Sequence, residues 1–125
     1  MRLRLIRQGD ELSDDEDIVV RGGKLEVDTL IADARRHHAI YGTYAISVFA
    51  LRGTTLDELA QQVPLVRFEF LTLMKVGVIR AAGLRLEPTG RNPRHFSLMF
   101  EDLDEDVARL SSCEHHVVSN PYHEA

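Results

Sequence analysis

Thr54-Thr55-Leu56-Asp57-Glu58-Leu59-Ala60 opens the stretch whose reading decides the fold, and Pro64-Leu65 followed by an apolar run to Gly77-Val78-Ile79 continues it. Thr54 and Thr55 offer side-chain oxygens to the free amides of a helix start, and Asp57 and Glu58 complement its dipole. Leu56, Leu59, Ala60 and Val63 recur at helical spacing, and Pro64 breaks the pattern because it lacks an amide hydrogen. Residues 65–76 then read as a second helix, with Phe68, Phe70, Leu71 and Leu73 leaving little polar surface, and Gly77 ends it. Residues 78–80 and 84–87 read as short extended pieces. A loop at Pro88-Thr89-Gly90-Arg91-Asn92-Pro93-Arg94 leads into a strand over 95–100.

Upstream, residues 2–7 alternate basic and apolar side chains, as a half-buried strand does. Residues 8–17 are an acidic loop whose carboxylates repel one another and stay in water. Residues 18–21 make a short strand and Gly22-Gly23 its turn. A helix over 29–41, with Asp28 as its cap, places Leu30, Ile31, Ala34, His38 and Tyr41 on one face, and Gly42 ends it. Residues 44–50 are nearly all apolar, which predicts a central strand covered on both sides. Downstream, Asp102 or Asp104 caps a helix to about Leu110, a last strand covers 113–118, and 119–122 turn. The reading is a single α+β domain over 1–125, with a mixed sheet around strands 44–50 and 95–100 and three to four helices.

At 125 residues the chain fits one domain. No apolar run approaches the ~20 residues of a membrane span, and the charged N-terminus lacks the apolar core of a signal peptide. One cysteine, Cys113, excludes an internal disulfide and fits a reducing, cytoplasmic setting. Its neighbours His115 and His116 do not complete four tetrahedral ligands, so no metal and no cofactor is expected. The net charge of −5 opposes general nucleic-acid binding, yet it is uneven. Residues 51–100 hold seven Lys/Arg against four Asp/Glu, whereas residues 101–125 hold one against seven.

Ala60, the break at Pro64, the locking apolar Phe70, and the strand–loop–strand after them resemble a winged helix-turn-helix domain, with the likeness running over 54–98 and the order of elements over 29–100. The resemblance implies duplex binding, with Arg67, Lys75, Arg91 and Arg94 contacting phosphates. It departs from the pattern where Glu69 and two phenylalanines occupy the recognition helix. A second reading is a small phosphodiester-cleaving or nucleotide-using enzyme. There His95 acts as acid or base, and Ser97 shares its strand face. The His95-Phe96-Ser97-Leu98 string resembles one half of the paired motif of two-histidine phosphoesterases, whose second half is missing here. Arg21, Ser47 and Glu101 on three strands resemble the arrangement of ADP-ribosyltransferases, without that family's supporting strings. A third reading is a non-catalytic module whose acidic C-terminal segment meets a protein partner, or whose Phe68 and Phe70 make a homodimer. Together these lead to an expectation of a small cytosolic bacterial protein acting on or near DNA or RNA, of the kind found in toxin–antitoxin or regulatory pairs.

Overall fold

The computed structural model describes residues 11–123. The expected strand at 2–7 lies outside them. Strand β1 (Asp17–Gly22) leads to helix α1 (Val27–Tyr41) and strand β2 (Tyr44–Ala50). A short helix α2 (Leu56–Ala60), a 3-10 turn (Leu65–Arg67), strand β3 (Phe70–Lys75) and helix α3 (Val76–Ala81) follow. Strands β4 (Arg85–Pro88) and β5 (His95–Phe100), helix α4 (Leu103–Ser112) and strand β6 (His116–Ser119) complete the chain. The six strands form one sheet in the order β4-β5-β2-β1-β3-β6. The α+β class is therefore as expected, but every pairing is antiparallel rather than mixed.

The pleat sends alternate side chains to two cores. Ile18 and Val20 of β1, Ile46 and Val48 of β2, and Phe96 and Leu98 of β5 face one layer. Leu30 and Ala34 of α1, Ile79 of α3, and Val107 and Leu110 of α4 cover them. Val19 and Leu71 face the other way, under Leu59 and Ala60 of α2 and Leu65 of the 3-10 turn. Strand β2 is central, as its composition predicts, yet Ser47 at its middle is exposed and only one face is fully sealed.

The helix expected over 65–76 does not form. After one 3-10 turn the chain extends into β3, which pairs with β1 on one side and β6 on the other. An apolar run of this length fits a strand buried on both faces as well as a helix, because periodicity alone does not separate them. The helix-turn-helix therefore lacks its recognition helix. Gly77 does not stop a helix but sits inside α3, correcting the extended reading of 78–80. A side chain there would meet the Asp14 Cβ at 3.0 Å, and the Gly77 amide donates to the Asp14 carbonyl at 3.0 Å. Asp28 is not the cap of α1. That place falls to Glu26, whose side chain makes no capping bond. Thr55 and Asp102 do cap, accepting from the amides of Glu58 and Glu105.

The acidic loop is paired rather than self-repelling. Arg52 Nε donates to Glu16 Oε1 at 3.1 Å, Arg80 Nη1 to Asp14 Oδ1 at 2.8 Å, and Lys75 Nζ lies 3.0 Å from Asp17 Oδ1. Three of the seven basic residues of 51–100 are thereby neutralised by the N-terminal acidic segment.

The C-terminal end is tied to α2. Tyr122 donates its phenol hydrogen to Asp57 Oδ1 at 2.6 Å, which pushes its pKa above the ordinary tyrosine value, with burial adding to the effect. A raised folded value means that this tie is fully present below the ordinary pKa near ~10 and is lost as pH rises through the folded one. An ultraviolet titration of the native protein minus that of Tyr122→Phe should isolate one tyrosine that ionises later than a free tyrosine. A difference curve centred on the ordinary value would contradict the contact.

Candidate functional site

Strands β1 and β2 pair only at Ile18↔Ala50 and Val19↔Phe49. Past Val19 the ladder between β1 and β3 shifts register, and β1 follows β3. Two bonds draw its end that way: the Gly23 amide donates to the Phe70 carbonyl at 2.6 Å, and Thr72 Oγ1 donates to the Gly23 carbonyl at 2.8 Å. Strand β2 meanwhile stays paired with β5 from Tyr44↔Phe100 to Phe49↔His95. The sheet therefore forks, and a cleft of about 370 Å³ opens between Val20–Gly22 and Ala45–Ser47.

Apolar and aromatic side chains line the cleft, among them Val19, Phe49, Leu65 and Phe68. Phe68 is 37% exposed, and its ring lies so close to Gly22 that a Cβ there would fall 2.2 Å from Phe68 Cδ2. Polar side chains line it too: Asp33, Arg36 and His37 of α1 and Ser47 of β2. Asp33 and His37 are one turn apart on the same helix face. The Arg36 side chain is 71% exposed, with its Nη2 3.4 Å from Asp33 Oδ1. His37 Nδ1 lies 2.7 Å from the Thr43 carbonyl, which only accepts, so Nδ1 carries a hydrogen. Its Nε2 is buried without a hydrogen-bond partner among the described residues.

The residues predicted as functional fall elsewhere and in separate places. His95 and Ser97 do share a face, and Thr89 joins them. Thr89 Oγ1 lies 2.9 Å from both His95 Nδ1 and Ser97 Oγ, and His95 Nδ1 donates to the Thr89 carbonyl at 3.0 Å. Thr89 and Ser97 are 4% and 1% exposed, so the trio fastens β4 to β5. Arg94 donates from Nε to the Arg52 carbonyl at 3.0 Å and from Nη2 to the Gly53 carbonyl at 3.2 Å. Lys75 is held by Asp17 and by the Asp15 carbonyl. Arg67 and Arg91 are exposed, with no partner among the described residues. Arg67 precedes β3 and Lys75 ends it, so a strand of roughly 17–20 Å separates them. Arg67 thus lies at the opposite end of β3 from Lys75. Glu101 is exposed just beyond β5, while Ser47 lies in the cleft.

His38 is exposed and stacks on Tyr44, with ring centroids 4.3 Å apart, and it is His37 that meets Tyr41, at 4.7 Å. Burial pushes the Cys113 thiol above its ordinary pKa, and Sγ donates to the Arg109 carbonyl at 3.2 Å, which opposes a nucleophilic role. No group of three or more metal-ligating side chains gathers among the described residues, and no helix there is long and apolar enough to cross a membrane. Sequence reasoning missed Asp33, Arg36 and His37. Their i, i+3, i+4 spacing was visible, but the fork that gives them a cleft was not. Comparison with known families, curated proteins and solved structures finds no significant match to this chain.

Proposed function

We propose that this protein binds nucleotide-type ligands in the fork between β1 and β2, as a free nucleotide or as an unpaired nucleotide of a single strand. The observation that supports this reading is the cleft's mixed lining of aromatic, polar and cationic side chains. Phe49 and Phe68 offer aromatic surface for a flat base, and Arg36 offers a guanidinium for phosphate. Its volume falls within the ~300–1,000 Å³ of small-molecule sites. Aromatic stacking with a nearby cation is how proteins hold single bases without reading a duplex, and it needs no recognition helix. Binding rather than chemistry is favoured because no activated nucleophile lines the cleft: Ser47 has no hydrogen bond to a base among the described residues.

The test is titration by calorimetry and by amide chemical-shift mapping. The ligands are the four ribonucleoside 5′-monophosphates and short single-stranded oligonucleotides, at ~50 and ~200 mM salt. Saturable shifts at Val20–Gly22, Ala45–Ser47 and Phe68 are expected. Phe68→Ala should weaken binding by roughly five- to a hundredfold, the range set by one lost stacking contact. Gly22→Val, whose side chain collides with the Phe68 ring, should weaken it as well. Mononucleotide affinity equal to that of the strand identifies the free nucleotide as the ligand. Tighter, salt-sensitive strand binding identifies single-stranded nucleic acid. No saturable shift with any of these ligands, or shifts confined to other surfaces, overturns the reading.

A further inference from the structure

We infer that His37 is the specificity-determining residue of the cleft and that it reads a hydrogen-bond donor on the base. The inference rests on the reading of the cleft as a nucleotide site.

The argument starts from the ring's own bonds. Its Nδ1 hydrogen goes to the Thr43 carbonyl at 2.7 Å, which leaves Nε2 of the neutral ring as an acceptor only. That acceptor is buried and meets no donor among the described residues. Buried side-chain acceptors are almost always satisfied, because leaving one unpaired forfeits its hydration with nothing in return. A ligand bearing an N–H supplies what the free protein lacks. The ring is also held in place: Tyr41 packs against it at 4.7 Å with the planes tilted by 47°. Nε2 is closed off from solvent in the free protein, so the ring must pivot about the Thr43 contact for a base N–H to reach it.

The neighbours fit the same role. Arg36 precedes His37 on the helix and extends into solvent, where it meets a phosphate. Asp33, one turn earlier and also lining the cleft, lies against the Arg36 guanidinium and adds a second acceptor. Two acceptors and one exposed cation favour a ligand that is rich in N–H on its ring and anionic on its tail. An acceptor edge placed against Nε2 would set two lone pairs against each other, so such a ligand is rejected rather than merely held less well.

The experiment compares matched ligands on the intact protein. AMP and N6,N6-dimethyl-AMP differ in the exocyclic N–H, and UMP and 3-methyl-UMP differ in the ring N–H. In at least one pair the methylated member should bind the native protein tenfold or more weakly. His37→Phe keeps the ring and removes the acceptor, so it should bring the pair to within twofold of each other. His37→Gln, which restores a carbonyl acceptor, should recover part of the preference. Native protein that binds both members of each pair within twofold overturns the inference and leaves the nucleotide site standing. Discrimination that survives in His37→Phe also overturns it, because the methyl groups would then be acting by bulk. Absence of binding by every nucleotide overturns this inference and the reading beneath it together.

Discussion

Phe96→Ala should destabilise the native state by about 3–5 kcal/mol, the range for deleting a buried aromatic ring. Phe96 is 2% exposed in β5, opposite Val48 on one side and Pro88 on the other. Its ring belongs to the layer covered by α1, α3 and α4, together with Leu98, Leu30 and Leu110. Those neighbours come from three elements and cannot close over the missing ring at once, so a cavity remains. Phe49 provides the control. It lies in the adjacent strand but on the other face, half-buried, with its ring edge-on to His95 at 5.3 Å. Phe49→Ala should therefore cost clearly less. Denaturant unfolding measures both: the Phe96 variant should shift its midpoint strongly with an unchanged slope. Equal losses for the two variants would mean that the faces are equally sealed, and the open cleft would then be in doubt.

What the sequence made legible follows from how local each signal is. Strand β2 could be read because its β-branched and aromatic residues lie between Gly42 and Gly53, which adopt positive φ of 82° and 70°. Helix α1 and β5 were likewise bounded by their own residues. Residues 65–75 were not. Their apolar density suits a helix wall and a central strand alike, and only the presence of β1 and β6 on either side selects the strand. Gly77 misled for a related reason: it is small because the Asp14 backbone approaches it, not because a helix ends. The cleft lies further still from any local signal. It exists because β1 leaves β2 after two paired residues to follow β3. The only trace of this in the sequence is Gly22, where Phe68 needs the space.

The distribution of basic residues carries the same lesson. The excess of Lys and Arg over 51–100 looked like a surface for phosphates. In the folded chain Arg52, Lys75 and Arg80 face the carboxylates of 14–17, Arg85 pairs with Glu87 at 2.8 Å, and Arg94 holds backbone carbonyls. Bidentate guanidinium geometry serves internal bridging as readily as it serves nucleic acid. Among the described residues, Arg36, from outside the basic segment, is the basic side chain placed at the cleft.

Asn120→Ala should cost about 2–4 kcal/mol, because it leaves buried backbone groups without partners. Asn120 is 5% exposed, and its Nδ2 donates to the carbonyls of Ala60 and Leu65 at 3.2 and 3.1 Å. Its Oδ1 accepts from the Tyr122 amide at 3.0 Å, and its own amide donates to the Glu69 carbonyl at 2.7 Å. One side chain thus spans the segment between α2 and the 3-10 turn. That segment stands where a helix-turn-helix would have its turn, and it leads to Phe68 at the cleft. Alanine keeps the main-chain bond but removes the other three. Asn120→Asp should be worse, since a carboxylate cannot donate and would face two carbonyl oxygens. Urea unfolding measures the loss, and a cost below about 0.5 kcal/mol would show that the clamp is dispensable. The same variant separates scaffold from site. Asn120 does not line the cleft, so weakened nucleotide binding by folded Asn120→Ala would mean that Phe68 must be held in place to stack. Unaltered binding would mean that the contact of its ring with Gly22 is sufficient to position it.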